Sequence, residues 1–299
     1  GEMDRALADF DTAIKLDPKN PLPFYNRGLA SRDKGDLERA IGDFSTSIRL
    51  DARNAQAFYN RGLAYWDRRE PDRAVADFEQ AIRINPGYAP AYYSRGLALF
   101  EKRDYDRAIA DMNQAINRRP NYPLAFNIRG LAYNAKGEID RAIQDFDQAI
   151  RLDSKFAAAF NNRGEGYQGK RELDRAIADF DAAIKVNPNY DTAFYNRGLA
   201  YRDKRDFDRA IADFGQAVKL DPKNPAAFNN RGFAYWNKGD NERAIADFEQ
   251  AIKLDPKFAG AYSNRGSAYY ERRDYDRAIA DFDQAIKLNP NVAAPWHAR

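Results

Sequence analysis

Apolar residues recur in this chain with two nested periods. Over short stretches they fall three or four residues apart, as in Phe58, Gly62 and Tyr65 and again in Ala74, Phe78, Ala81 and Ile82, which is the spacing of one face of an α-helix. Over long stretches the dipeptide Arg-Gly returns with glycines at Gly28, Gly62, Gly96, Gly130, Gly164, Gly198, Gly232 and Gly266, always 34 residues apart. With Gly28 taken as position 8, the full units are 21–54, 55–88, 89–122, 123–156, 157–190, 191–224, 225–258 and 259–292, preceded by a half unit, 1–20, and followed by a stub, 293–299. In each unit positions 4, 8 and 11 form the stripe of a first helix, and positions 20, 24, 27 and 28 that of a second. The pattern predicts an all-α chain of helical hairpins stacked one on the next, because no single hairpin could bury its own apolar face.

The boundaries carry their own chemistry. Lys-Gly-Asp at 34–36 and 238–240 and Lys-Gly-Glu at 136–138 put Gly35, Gly137 and Gly239 at a helix C-terminus, where the left-handed backbone costs glycine little. Acids then follow in the first turn of the second helix, such as Asp36 with Glu38, where the helix dipole favours negative charge. Asp-Pro or Asn-Pro closes many second helices, as at Pro18, Pro86 and Pro222, because proline lacks the amide that continuation needs.

These residues resemble the tetratricopeptide repeat (TPR), whose period is 34 and whose pattern runs W-x2-L-G-x2-Y, A-x3-F, P. Position 4 is aromatic in every copy, from Phe24 to Trp296; position 11 is Tyr65, Tyr133, Tyr167, Tyr201, Tyr235 and Tyr269, with Ser31 and Leu99 as exceptions. Position 20 is alanine from Ala6 to Ala278, and position 24 is phenylalanine in all copies but Met112. Small residues at 8 and 20 let two helices approach, so a bulkier one there should cost about 1–3 kcal/mol of overpacking. The resemblance implies an α-α superhelix, a right-handed solenoid of about eight repeats forming a single domain over 1–299, and a role in binding other proteins.

Composition narrows the function further. The chain is 44% hydrophobic and 31% charged, and its 48 basic residues so nearly balance its 45 acidic ones that nucleic acid and anionic membranes are not expected partners. It contains no apolar run long enough to insert in a bilayer, so a soluble protein is expected, cytoplasmic rather than periplasmic. With no cysteine, one histidine (His297) and no phosphate-binding glycine loop, neither an enzyme nor any cofactor or metal site is expected.

One position departs from the family pattern. Position 7 is arginine rather than leucine in every unit, from Arg27 to Arg265, and points nearly the same way as the core positions 4 and 11. A charge on that face needs a partner. Position 23 of the second helix is aspartate throughout, from Asp9 to Asp281, so a ladder of Arg–Asp pairs is expected.

The positions that differ between units mark the candidate ligand face. On the first helix these are 2, 5, 9, 12 and 13, which fall within about 100° of one another, opposite the core stripe. The resemblance places this face on the concave side of the superhelix, where extended peptides or partner helices lie. Position 5 offers Tyr25, Tyr59, Tyr93, Asn127, Asn161, Tyr195 and Asn229; position 12 offers Trp66, Phe100, Trp236 and Tyr270. Tyrosine and tryptophan supply apolar area with a polar tip, as binding hot spots do. Position 6 supplies Asn26, Asn60, Asn162, Asn196, Asn230 and Asn264, a row of amides able to pair with a peptide backbone, similar to the asparagine ladder of the repeat domain in O-linked N-acetylglucosamine transferases. The alternative is that the rings pack on neighbouring helices and the amides bond locally. Glu165 replaces leucine at position 9, and with Gly166 and Gly169 marks units 123–156 and 157–190 as a bend or a specialised pocket.

Other modes fit less well. The clamp for acidic chaperone tails needs Lys at 5 and Asn at 9, which no unit has, and helical-repeat RNA readers keep a basic groove and a different period. Head-to-tail assembly is the main rival, since the half unit and the stub are complementary parts of one hairpin; the recognition domain of a larger enzyme is the other alternative.

Overall fold

A computed structural model describes residues 1–290. The stub expected over 293–299, with Trp296 and His297, lies outside the described residues. Among these there are seventeen helices and no strand: α1 (Glu2–Leu16), then alternating first helices such as α2 (Pro21–Asp33), α4 (Ala55–Asp67), α6 (Ala89–Glu101) and α8 (Pro123–Ala135) and second helices such as α3 (Leu37–Leu50), α5 (Pro71–Ile84), α7 (Tyr105–Arg118) and α9 (Ile139–Leu152). The order continues with first helices α10 (Ala157–Gly169), α12 (Asp191–Asp203), α14 (Pro225–Asn237) and α16 (Ala259–Glu271), and second helices α11 (Leu173–Val186), α13 (Phe207–Leu220), α15 (Asn241–Leu254) and α17 (Tyr275–Leu288). The chain divides into two compact units, Gly1–Leu152 holding α1 to α9 and a second beginning at Asp153 with α10 to α17. Each is an all-α stack of hairpins.

The hairpin closes on the small residues the repeat supplies. A β-carbon built on Gly28 would stand 2.8 Å from the Phe44 ring, and the same clash recurs at Gly62 with Phe78 and at Gly232 with Phe248. Each phenylalanine is fully buried against the missing side chain, and the alanines flanking it, such as Ala40 and Ala74, are equally dry. Glycine is here a packing residue: its absent methyl is the space the ring occupies.

The turns use two solutions to one backbone requirement. Gly35, Gly137 and Gly239 take positive φ near 80°, as their sequence predicts, but the same position is filled by Arg69, Arg103, Arg171, Arg205 and Arg273 at φ of 61–64°. Those five arginines carry the steric cost of a left-handed L-residue. The aspartates that follow cap the second helices, with Asp36 accepting from the Arg39 amide and Asp206 from the Arg209 amide.

The arginine ladder is present in full. Arg27 donates through Nε to Asp43 at 2.8 Å and through Nη2 at 2.5 Å, and the same two-pronged bond joins Arg61 to Asp77, Arg95 to Asp111, Arg129 to Asp145, Arg163 to Asp179, Arg197 to Asp213, Arg231 to Asp247 and Arg265 to Asp281. The aspartates are buried. Each guanidinium also lies within 6 Å of its own position-4 ring, from Phe24 under Arg27 to Tyr262 under Arg265. Aromatic residue, arginine and aspartate thus form one unit, which accounts for arginine at position 7 where the family pattern has leucine. Asp9, which belongs to the half unit without an arginine of its own, is exposed.

A third prong ties neighbours together. Nη1 of Arg27 reaches Asp11 at 2.6 Å, that of Arg61 reaches Ser45 at 3.0 Å and that of Arg197 reaches Asp181 at 2.5 Å, all on the second helix of the preceding hairpin. The two carboxylates around Arg27 and Arg197 push these guanidinium pKa values up, with the bond to Asp43 or Asp213 the largest cause. Both stay charged at any pH the fold survives.

Candidate functional site

In the first unit the face of α2, α4, α6 and α8 is mainly aromatic. Tyr25 leans on Phe44 with ring centroids 5.9 Å apart, Tyr59 on Phe78 at 5.7 Å and on Tyr88 at 5.1 Å, and Tyr93 on Tyr122 at 5.0 Å. Rings at the last position of a repeat therefore join the face, a contribution the candidate positions omitted although Tyr88, Tyr122 and Tyr190 all fall at position 34 of their units. Burial raises the hydroxyl pKa values of Tyr25 and Tyr93, and pushes that of Tyr88 up to about 12 with help from Tyr59 and Tyr25. Toward the hairpin turns, Trp66 lines a recess of about 230 Å³ with Pro71, Ala98 and Glu101, and Phe100 stands half-buried beside Tyr105. Asn26 is exposed and Asn127 buried.

The asparagine row is spoken for to a degree that sequence did not disclose. Asn60 donates one amide hydrogen to the Tyr25 hydroxyl at 3.0 Å and the other to the Gln56 carbonyl at 2.9 Å, while Arg32 donates to its Oδ1 at 3.2 Å. Asn230 in the second unit repeats the arrangement with Tyr195, the Ala226 carbonyl and Arg202. Asn264 donates to Asn229 at 3.0 Å, and the Tyr59 hydroxyl lies 3.3 Å from Ser94 Oγ, which replaces asparagine there. The rule is one of offset: position 6 of one first helix bonds position 5 of the first helix before it, 35 residues back. An amide has two hydrogens, so Asn60 and Asn230 have none left for a ligand.

The second unit's face, on α10, α12, α14 and α16, is more polar. Asn196 donates to Asn161 Oδ1 at 3.0 Å and to Glu165 Oε1 at 2.7 Å, and Asn161 donates to the same Glu165 oxygen at 2.8 Å. Asn161 and Asn196 are buried, Glu165 half-buried. Asn162 is half-buried. Trp236 packs on Phe233 at 5.7 Å, with its indole Nε1 buried and without a partner, while Tyr270 is 56% exposed beside Tyr275.

No helix among the described residues is long and apolar enough to cross a membrane. With hairpins, stripes and turns in place, comparison with known proteins gives the class. The tetratricopeptide repeat pattern matches residues 25–89, 93–155, 161–225, 195–256 and 229–293, and a second TPR repeat pattern matches residues 1–31. The chain belongs to the tetratricopeptide repeat family, whose fold is a scaffold for protein interactions. Similar solved structures include a tetratricopeptide repeat protein from Parabacteroides merdae (20% identity, 80% of this chain and 94% of that one, TM-score 0.62) and MamA (28%, 54% and 94%, 0.52). Another is YrrB, described as a TPR protein with an unusual peptide-binding site (24%, 62% and 96%, 0.54). A search of curated proteins returns no match.

Proposed function

We propose that the chain is a binding scaffold, not a catalyst, and holds a peptide or protein segment against the faces of its first helices. The observation that carries this reading is the set of incompletely covered rings, Trp66, Phe100, Trp236 and Tyr270, at a position where the repeat is free to vary while its core is not. Large rings left partly in water on a rigid frame are the usual anchors of a protein interface. Because Asn60, Asn196 and Asn230 are latched sideways, the rings supply the affinity and the amides fix the spacing between helices. The fold shared with YrrB supports the reading at the level of architecture.

The test is a pull-down from a peptide library, comparing wild type with a variant carrying Trp66→Ala, Phe100→Ala, Trp236→Ala and Tyr270→Ala, and with a second carrying Asn162→Ala, Asn196→Ala and Asn230→Ala. Ligands lost from the ring variant while its helical circular dichroism is intact support the groove. Equal capture by all three proteins overturns it.

A further inference from the structure

We propose that the second unit carries a subsite for a cationic side chain, lysine or arginine, of a bound peptide, built on Glu165. The proposal rests on the groove reading above and names part of its specificity.

Position 9 is leucine at Leu29, Leu63, Leu97, Leu131 and Leu199, phenylalanine at Phe233 and serine at Ser267; only α10 places a charge there. A half-buried carboxylate in place of a packing residue is costly unless something compensates it. The compensation found is partial and one-sided. Both amide bonds, from Asn161 at 2.8 Å and Asn196 at 2.7 Å, fall on Oε1. These amides are neutral, so they orient the carboxylate without cancelling its charge. Oε2 meets no donor among the described residues. Arg163 lies on the opposite, core-facing side of the same helix, bonded to Asp179, and Arg202 of the next first helix is bonded to Asp203 and Asn230. Glu165 also acts on the Tyr190 hydroxyl, whose pKa is raised first by burial and then by the Glu165 charge.

Access is built in on the same helix. Residues four apart on a helix are neighbours, and the one four beyond Glu165 is Gly169, which offers no side chain to cover it. What results is a half-buried negative charge held by neutral amides on one oxygen, with the exposed Gly169 one turn further along the helix. An ammonium or guanidinium completes it by a charge-assisted bond, which a neutral donor matches only in part and an anion opposes.

The experiment is selection from a phage-displayed library of random short peptides on the full chain and on Glu165→Gln. Glutamine keeps an acceptor for Asn161 and Asn196 while removing the charge, so the variant should fold; a matching thermal melt verifies this. We expect wild type to enrich peptides with lysine or arginine at one fixed place, and Glu165→Gln to lose that preference while keeping the rest of the consensus. A lysine peptide so selected should bind Glu165→Gln roughly ten- to a hundredfold more weakly in fluorescence anisotropy, the range set by one hydrogen bond to a charged group. The same basic preference on both proteins, or a consensus without a basic residue, overturns the subsite and leaves the groove standing. No enrichment on either protein overturns the groove reading and the subsite with it.

Discussion

Arg231 places its Nη1 3.8 Å from the point where a side chain on Gly215 would begin, and there is no side chain there to meet it. At the equivalent place Arg27 meets Asp11, Arg129 meets Asn113 and Arg197 meets Asp181. One rung of the ladder between neighbouring hairpins is therefore missing its acceptor. Gly215 also lies inside α13, where glycine costs about 1 kcal/mol relative to alanine. Gly215→Asp is expected to stabilise the chain by about 1 kcal/mol in urea unfolding, through the restored hydrogen bond and the stiffer backbone. Gly215→Ala should recover only the backbone share, and a loss of stability in both would show that the gap is needed.

The two sets of ion pairs should respond differently to loss of a partner. Asp77 is 5% exposed and holds both prongs of Arg61, so Asp77→Asn leaves a largely buried guanidinium half-satisfied and should cost about 3 kcal/mol. Lys102 pairs with Asp72 on the surface, both side chains about half exposed or more, so Lys102→Ala should change stability by less than about 1 kcal/mol. Thermal melts of the two variants decide, and equal effects would mean that burial does not separate the two classes.

Arg103 occupies a left-handed turn at φ 62° where Gly137 sits at φ 79°. Arg103→Gly relieves strain of about 1–2 kcal/mol, partly offset by the greater freedom of glycine in the unfolded chain. A small rise in melting temperature is expected, and the reverse change, Gly137→Arg, should lower it. A fall on Arg103→Gly would imply that the arginine side chain holds the turn by a contact of its own.

How far the sequence announced this can be judged from single residues. The hairpins were legible because a period repeated eight times separates core from surface without ambiguity, and the Arg27–Asp43 pair because a charge on a core face demands a partner. One destination of Asn60, the Gln56 carbonyl, lies on its own helix, but the other was not legible there: Tyr25 lies 35 residues back, one step longer than the period, and shows only when position 6 of one repeat is compared with position 5 of the repeat before. Arg69 and Arg103 show their positive φ only by register, 34 residues from Gly35 and Gly137, since no local rule marks arginine as a left-handed residue.

Alkaline titration tests the aromatic face of the first unit. The Tyr88 hydroxyl is pushed up from 10.0 to about 12, first by burial and then by Tyr59 and Tyr25. The native state thus favours the neutral form, so this contribution is complete below pH 10 and is lost as pH rises through about 12. Tyr88→Phe should flatten the decline of melting temperature across that window. An unchanged slope would place Tyr88 in an exposed, ordinary environment.

The offsets that link repeats have an evolutionary consequence. Arg197 finds Asp181 sixteen residues back, Lys102 finds Asp72 thirty back and Asn230 finds Tyr195 thirty-five back, so each contact is specified by distance along the chain and not by the identity of a particular repeat. A gene duplication or deletion of any 34-residue segment, wherever in the period it begins, leaves donors and acceptors in step. The array can lengthen or shorten by whole repeats without relearning its charges, and only a one-off such as Glu165 is lost or copied as a private feature.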